Sequence, residues 1–451
     1  LGYQVASGGF SYWGGKEEAD IALTAYALRF LNDAKNFVEV DDEAIKKAQN
    51  WLASQQRADG SFTKKYYWET VEDTKRTKIF TSYVARTLAK IEAENASTTP
   101  NPTLDKALAY LKIQNARIDE PYALALYGLS LLDAKKAGEA KAVAEILTKM
   151  AIAENNGVYW NLETNTPFYG WGTPGRVETT ALVVQFLIKQ KAAEKADEQR
   201  TTNDELISKG TLFLLKNKDR YGVWYSTQTT INVLDAFLAA LSNEKQTAEN
   251  QQIQISLNGK ELQTLSLSPE QIAPVSINLE GKLNENENRL EIASSTNSSV
   301  MAQVVQTHYI DWKDAQISGE NTNNSRQLQL DYKCDKQNAK IMEEVSCSVK
   351  AERVGFKGYG MLLAEIGIPP GADVSRESLQ AAMDADWSLS RYDILPDRIV
   401  IYMWSKAGGT NIDFKFKPRY GINAQTPASF VYDYYNDEAK ATLAPMKFEV
   451  K

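Results

Sequence analysis

The sequence predicts a multidomain protein of α plus all-β class, with an α/α toroid followed by two antiparallel β-sandwich modules. At 451 residues the chain is too long for a single hydrophobic core. In the first half, a glycine turn that carries aromatic residues and leads into an apolar helix recurs imperfectly, roughly every 50–60 residues. Near Asn243 the spacing of apolar residues changes from a helical period of about 3.6 to a strand period of about 2.

Two kinds of helix alternate in the first half. The apolar residues of one kind cover most of the helix circumference, and those of the other kind form one stripe at i, i+3, i+4 and i+7. Helices that are apolar all round must be buried, and one-sided helices must pack outside them, so we predict an inner ring wrapped by an outer ring. The inner segments are residues 21–31, 79–88, 122–132, 180–188 and 231–241, and the predicted N-caps are Asp20, Asp41, Asn101 and Thr227.

The turns at the corners of the predicted toroid carry Phe62, Trp160 and Trp224. We predict that these three rings fasten each corner by apolar packing.

The second half is predicted to contain strands. Residues 254–260, 275–279, 289–292 and 304–310 alternate apolar and polar side chains and form a small β module that is short for a complete sandwich. The polar residues 319–325 are predicted to be a linker. A further β domain follows, with strands at 328–333, 345–353, 362–368, 398–404, 412–416 and 428–435 and one helix at 376–383. The predicted domains are residues 1–244, 245–318 and 319–451.

Charge and hydropathy exclude two classes of partner. The formal net charge is -7 and the isoelectric point is near 5.2, which argues against nucleic acid, because phosphate binding needs clustered cations. No apolar run is long enough to span a bilayer. The first residue is Leu1 rather than Met, so the chain is expected to be a piece of a longer protein.

Side chains that carry chemistry are few. His308 is the one histidine, so no metal site or histidine relay is predicted, and no cofactor motif is present. The carboxylate pairs Glu72/Asp73 and Asp384/Asp386 are interpreted as solvated charge. Cys334 and Cys347 lie on predicted neighbouring strands, and their spacing fits either a disulfide, which would indicate an oxidising compartment, or two buried thiols. From composition alone, both a toroid enzyme acting on glycans or isoprenoids and a scaffold in a larger assembly remain open.

Several motifs resemble the thioester-protein superfamily of α2-macroglobulin and complement. The segments 1–4, 9–13 and 23–26 (LGYQ, GFSYW and LTAY) resemble its thioester domain, and the segment 225–229 (YSTQT) resembles the start of that domain's last inner helix. The segments 399–402 (IVIY) and 431–435 (VYDYY) resemble its terminal receptor-binding domain. The resemblance covers the chain in family order, and it implies that the middle module is the remainder of a CUB domain split by insertion of the toroid.

The resemblance also implies a reactive centre that this sequence lacks. The family joins a cysteine and a glutamine in a thioester, and the motif is expected roughly forty residues before Leu1 by the family's spacing. Aromatic and sulfur side chains keep that bond dry. Carried over by position, this seal corresponds to Trp13, Met361, Tyr402 and Tyr434.

By the same resemblance, the intact parent is expected to be an α2-macroglobulin, an inhibitor that traps target proteases and not an enzyme; the sparse cysteines and the missing receptor lysines favour a bacterial origin. Residues 62–77 contain no histidine, which favours transfer to amines, and residues 376–383 lack the paired lysines of animal receptor-binding helices. Its partners would be target proteases and upstream macroglobulin domains, in a periplasmic or secreted setting. The alternatives are an opsonin of the complement type and the toroid enzyme.

Overall fold

The computed structural model describes residues 2–15, 18–64, 71–95, 101–114, 118–193, 200–218, 223–243, 250–268, 275–295, 302, 304–306, 309, 311–312, 327–356, 360–434 and 436–451. The chain divides into two compact units. One comprises Leu1–Ala239 together with Ile310–Lys451, and the other is Ala240–Tyr309.

The first half of the described chain is helical. Its helices are α1 (Ile21–Ala34), α2 (Asp42–Gln55), α3 (Thr74–Glu94), α4 (Pro102–Gln114), α5 (Pro121–Asp133), α6 (Ala137–Lys149), α7 (Gly172–Ala193), α8 (Arg200–Lys216) and α9 (Thr227–Asn243). A short hairpin of β1 (Ile152–Glu154) and β2 (Gly157–Tyr159) lies between α6 and α7.

These helices form the predicted double ring. Helix α1 packs on α3, α3 on α5 and α5 on α7, and each of these inner helices also packs on the outer helix that follows it. Helices α3, α5 and α7 are buried on most sides, whereas α2, α4 and α6 bury one stripe. The amide of Gln185 donates to the Asn232 carbonyl at 2.7 Å and joins α7 to α9, and an ion pair of 2.7 Å between Arg29 and Asp235 joins α9 back to α1.

Two inner helices are more exposed than predicted. Phe30 of α1 is 59 % exposed, and Leu234 and Leu238 of α9 are also exposed. The prediction that every helix that is apolar all round is fully buried is therefore wrong for α1 and α9. Among the described residues, the Arg29–Asp235 ion pair connects these two helices.

The corners of the toroid repeat one hydrogen bond. At each of four corners the backbone N–H of an aromatic residue donates to a threonine hydroxyl of the next inner helix. The pairs are Phe10 with Thr24 (2.8 Å), Phe62 with Thr81 (2.9 Å), Trp160 with Thr180 (3.2 Å) and Trp224 with Thr230 (3.0 Å). The rings of Phe62, Trp160 and Trp224 are buried, as predicted.

Two of the corner glycines have a backbone that other residues rarely adopt. Gly8 and Gly60 have φ values of 99° and 90°, and a Cβ on either would collide with the carbonyl oxygen of Lys47 or Lys106 on the neighbouring outer helix. The glycine in the repeated motif is therefore required both by its positive φ and by the close approach of the helix.

Three of the four predicted N-caps are correct. Asp20, Asp41 and Asn101 each accept a hydrogen bond from the first turn of their helices. Thr227 is instead the first residue of α9, and the hydroxyl of Ser226 accepts from the Thr229 N–H at 3.1 Å. The predicted cap was one residue too late, because serine and threonine are both favoured at the N-cap and the sequence does not distinguish Ser226 from Thr227.

Replacing Ser226 with Ala is expected to lower the free energy of unfolding by about 1 kcal/mol, because the Thr229 N–H loses its acceptor. Chemical denaturation of the protein measures this change. Thr227→Ala is the matched control at an exposed position, and an equal loss in both variants would contradict the assignment of the cap.

The second compact unit contains one three-stranded antiparallel sheet, β4-β3-β5, in its described part. Strands β3 (Gln251–Leu257) and β4 (Lys260–Leu267) are joined at Asn258 and Gly259, which both have positive φ, as expected for an Asn-Gly hairpin turn; β5 is Leu290–Ser294. The predicted strand at 275–279 is wrong, and residues 304–306 of the predicted strand 304–310 are not in a strand either. Alternation of apolar and polar residues shows that a segment could pair in a sheet, but it does not show that a neighbouring strand is available to pair with it. His308 and the predicted linker 319–325 lie outside the described residues.

The last part of the chain is a β domain with a core between two sheets. One sheet has the order β10-β13-β8-β6 and the other has the order β11-β12-β9-β15-β16, and a smaller sheet has the order β14-β17-β7. The elements are β6 (Leu328–Cys334), β7 (Asn338–Ala339), β8 (Val345–Arg353), β9 (Met361–Gly367), β10 (Ala372–Val374), α10 (Arg376–Ala385), β11 (Leu389–Ile394), β12 (Arg398–Trp404), β13 (Thr410–Pro418), β14 (Ile422–Gln425), β15 (Ser429–Asp433), β16 (Asn436–Leu443) and β17 (Lys447–Val450). Edge strand β16 contacts α7 of the toroid.

Candidate functional site

Met361 and Tyr402, two of the predicted seal residues, share one face of the five-stranded sheet. In the pairing of β9 with β12, Met361 is opposite Trp404 and Leu363 is opposite Tyr402. Cross-strand partners point to the same side, and so do residues two apart, which places these side chains on the face away from the domain core. The intervening residues Leu362 and Met403 are in the core.

Tyr434 joins the same group from the neighbouring strand. Its backbone N–H donates to the Met361 carbonyl at 2.9 Å, just beyond the end of β15, and its side chain is 58 % exposed. We name the set Met361, Tyr402, Trp404 and Tyr434 the aromatic corner. Three of the four predicted seal residues therefore lie together at one end of one sheet.

Trp404 is the member that the sequence reasoning missed. It is two residues beyond Tyr402 in the same strand, and its side chain is 47 % exposed. The signal was available, because Trp404 is two residues from Tyr402 in one predicted strand and such residues share a face of the sheet.

The rest of this face carries charges at its margins. The guanidinium of Arg391 lies 5.7 Å from the centre of the Tyr402 ring, within the range of a cation–π contact. The hydroxyl of Tyr432 donates to Glu365 at 3.1 Å, and burial together with this carboxylate raises the pKa of Tyr432 to about 12. The face therefore offers aromatic surface with paired charges, which suits water exclusion and partner contact.

Trp13, the fourth predicted seal residue, lies in the loop before α1. Its side chain is 81 % exposed, so little of the ring is covered by the described chain. The loop backbone is fixed on both sides of it, because the Phe10 N–H donates to Thr24 and the Gly14 N–H donates to the Ser11 hydroxyl at 2.8 Å. A seal that uses this ring needs further protein surface over it.

The interior of the toroid contains a carboxylate that the sequence reasoning did not single out. Glu178 of α7 is buried, and it accepts hydrogen bonds from the Tyr122 hydroxyl at 3.1 Å, the Thr166 hydroxyl at 3.2 Å and the Asn232 amide at 3.5 Å. Burial raises the pKa of Glu178 to about 7, partly offset by the bonds from Tyr122 and Thr166. It was missed because a single acidic residue in a helix is usually solvated.

A second buried carboxylate holds the loop before α7. The backbone N–H of Glu163 is shared between the two carboxylate oxygens of Glu120, next to the start of α5, at 3.0 and 3.1 Å. Burial raises the pKa of Glu120 to about 7, and the Glu163 N–H opposes the shift. Both buried carboxylates fasten neighbouring segments of the toroid to each other.

Of the carboxylates interpreted as solvated charge, Asp384 is exposed, whereas Glu72, Asp73 and Asp386 are partly buried and hydrogen-bonded, which corrects the interpretation for these three. Asp73 caps α3, and Glu72 accepts from the Thr77 hydroxyl and from Arg57, so that its pKa is lowered, chiefly by Thr77. Asp386 accepts from the N–H and hydroxyl of Ser388. Asp73 therefore caps a helix, and Asp386 closes the loop that contains Ser388.

Cys334 and Cys347 are joined by a disulfide between paired residues of β6 and β8. Among the described residues, no group of three or more His, Cys, Asp and Glu side chains is placed to hold a metal ion. The helices of the described ranges are all too short or too polar to cross a membrane.

Comparison with known proteins identifies two domains of one family. The model of the A-macroglobulin TED domain matches residues 1–240, and that of the A-macroglobulin receptor binding domain matches residues 358–444. Thioester-containing protein 1 of Anopheles gambiae is 27 % identical over 194 residues for allele S1 and 25 % identical over 195 residues for allele R1. Each match covers 42 % of this chain but only 14 % of the relative, so this chain matches a small part of these relatives.

Solved bacterial proteins share the fold. Native α2-macroglobulin from Escherichia coli, from domain MG7 to the C-terminus, superposes with a TM-score of 0.56 at 14 % identity, over 100 % of this chain and 66 % of that one. Salmonella α2-macroglobulin reacted with methylamine gives 0.54 at 16 % identity, over 100 % and 27 %. The multidomain α plus all-β class is confirmed. Because the TED-domain model matches more than half of the residues, this chain belongs to the α-macroglobulin family, within the superfamily of α2-macroglobulin and complement thioester proteins.

Proposed function

We propose that this chain is the C-terminal part of an α2-macroglobulin-like protease inhibitor of broad specificity. In the intact parent, a target protease cuts a bait region and is then linked through a thioester. The observation that carries the proposal is the occurrence of a TED-domain match and a receptor-binding-domain match, in that order, on one chain. The disulfide supports a periplasmic or secreted setting.

The proposal requires the thioester to be formed by residues other than these 451. Both cysteines of the sequence are bonded to each other, so neither supplies the thiol. In the trapping step a lysine amine of the protease attacks the glutamyl carbonyl, an amide forms, the C–S bond breaks and the cysteine thiol is released. Residues 62–77 contain no histidine to redirect the acyl group to hydroxyls, which favours amines and disfavours an opsonin.

The aromatic corner is proposed to keep water from that thioester. Met361, Tyr402, Trp404 and Tyr434 present one apolar surface that is open to solvent in part, as expected of a surface that covers another part of the parent. Trp13 is proposed to complete the seal once upstream segments cover its exposed ring.

The toroid interior favours this role over an enzyme acting on glycans or isoprenoids. Such an enzyme needs carboxylates that reach a substrate, whereas the Glu178 carboxylate is buried and bonded to three side chains. Tyr83 and Tyr122 are buried beside it, and burial raises the pKa of both phenols.

Replacing Trp404 with Ala in the full-length parent is expected to shorten the lifetime of the thioester about tenfold. If the half-exposed Trp404 ring buries about 60 Å² when the seal closes, it stabilises the closed state by about 1.5 kcal/mol, at about 25 cal/mol per Å². Release of free thiol without added amine measures the lifetime. Tyr420→Ala, which removes an exposed aromatic ring in the turn between β13 and β14, is the control and is expected to leave the lifetime unchanged.

Trapping itself is tested with the full-length parent and two proteases of different specificity, such as trypsin and elastase. We expect each protease to lose activity on a large protein substrate, to keep activity on a small peptide, and to form an adduct that persists in denaturant. Prior treatment with methylamine should abolish the adduct. Undiminished cleavage of the large substrate by both proteases contradicts the proposal, and adducts on hydroxyl-rich surfaces instead of protease amines favour the opsonin.

A further inference from the structure

A buried ion pair lies directly behind the aromatic corner. Arg353 is the last residue of β8, in the four-stranded sheet, and Asp433 is the last residue of β15, in the five-stranded sheet. Their Nη2 and Oδ2 atoms are 2.6 Å apart, and each side chain is only 2 % exposed. Replacing such a pair with apolar residues often costs no stability, so its stabilising effect alone does not account for it.

The pair connects three strand ends. The Nε of Arg353 donates to the Ser405 hydroxyl at 3.0 Å, and that hydroxyl lies 3.5 Å from the Gly360 carbonyl. Gly360 also lies against the Asp433 carboxylate, since a Cβ at this glycine would be 3.1 Å from Oδ1. One guanidinium therefore contacts Asp433 and Ser405 directly and reaches Gly360 through the hydroxyl.

Each connected residue is the chain neighbour of a member of the aromatic corner. Gly360 precedes Met361, Ser405 follows Trp404, and Asp433 precedes Tyr434. The hydrogen bond from the Tyr434 N–H to the Met361 carbonyl closes the same group on the outer side. Met361, Trp404 and Tyr434 lie at or next to strand ends, where backbone pairing alone fixes position least.

We propose that the Arg353–Asp433 pair is a positioning device that holds Met361, Trp404 and Tyr434 in the arrangement that excludes water from the thioester of the parent. The inference rests on the proposed function. Arginine suits this task because its planar guanidinium directs several donors in a fixed geometry: Nη2 donates to the carboxylate while Nε donates to the hydroxyl.

The test uses the full-length parent with both partners replaced, Arg353→Met with Asp433→Leu. This double variant removes the tether without leaving a buried unpaired charge, so the melting temperature is expected to be equal to that of the unmodified protein or higher. Free thiol is nevertheless expected to appear about tenfold faster without added amine, because small displacements of positioned groups have large effects on rate. Amide hydrogen exchange at Tyr434 is expected to accelerate as well.

Two further variants keep the outcome interpretable. Arg353→Lys retains the positive charge but not the separate Nε and Nη2 donors of the guanidinium, and it is expected to give an intermediate rate of thiol release. The exposed pair Arg419–Asp373, replaced as Arg419→Gln with Asp373→Asn, serves as the control and should leave release unchanged.

The outcomes distinguish a failure of the proposed function from a failure of the positioning role of the Arg353–Asp433 pair. If the unmodified parent contains no amine-reactive thioester, the proposed function fails, whereas Tyr434 exchange still tests the tether. If the thioester is present and Tyr434→Ala accelerates its loss, but the double variant has the lifetime and the Tyr434 exchange of the unmodified protein, the positioning role is wrong.

Discussion

Replacing Tyr434 with Ala in the full-length parent should shorten the lifetime of the thioester on the order of fiftyfold. Water reaches the thioester only when the proposed seal is open, so the rate of hydrolysis is proportional to the fraction of molecules whose seal is open. Tyr434 is 58 % exposed here and would bury about 100 Å² on closure, which contributes about 2.5 kcal/mol at about 25 cal/mol per Å². Loss of that contact increases the open fraction by the corresponding factor, and the rate of thiol release in the absence of amine measures it.

The control for this prediction is the conservative change Tyr434→Phe. It keeps the apolar ring and should leave the lifetime within about twofold of the unmodified protein, since water exclusion depends on area rather than on the hydroxyl. Equal lifetimes for the Ala and unmodified proteins would remove Tyr434 from the seal.

The second large effect concerns Glu178 and pH. Burial raises the pKa of this carboxyl from an ordinary 4.5 to about 7 in the folded protein. Between these two values the folded state holds a proton that the unfolded state has lost, so the stability contributed by Glu178 is full below pH 4.5 and is lost as the pH rises through 7. Glu178→Gln keeps an acceptor for Tyr122 and cannot ionise. At pH 8 it is expected to raise the free energy of unfolding by about 3 kcal/mol.

Denaturation at a series of pH values from 4 to 8 measures this difference, and the two proteins should converge near pH 4. Glu154→Gln, at an exposed position of β1, is the matched control. Part of the pH dependence of the free energy of unfolding should persist in Glu178→Gln, because burial also raises the pKa of Glu120 to about 7. If the free energy of unfolding of Glu178→Gln depends on pH as strongly as that of the unmodified protein, the raised pKa does not belong to Glu178.

Much of the fold was predictable because burial leaves a period in the sequence. The inner helices α3, α5 and α7 and the strands β8 and β12 follow from apolar spacing. Short or polar strands such as β7, β10, β14 and β16 were not predicted, because their pairing is decided by neighbours distant in the chain. The strand predicted at 275–279 has the alternation but is not a strand.

The candidate site was predictable only in part. Met361, Tyr402 and Tyr434 were placed by family resemblance, and their common face follows from strand register. Arg353 and Asp433 could not be paired from sequence, because they are 80 residues apart and meet only when two sheets pack. The exposure of Trp13 likewise depends on what covers its loop.

The most direct test of the protease-trap account is the intact mass of the full-length parent after methylamine and iodoacetamide treatment. We predict that the parent gains the mass of one methylamine molecule, because the amine forms an amide at the glutamyl carbonyl and the C–S bond breaks, and that the released thiol becomes alkylatable only after this reaction. Cys334 and Cys347 should remain unlabelled without reductant, since they are bonded to each other. No mass gain and no newly exposed thiol would contradict the account and leave a family member without covalent trapping chemistry.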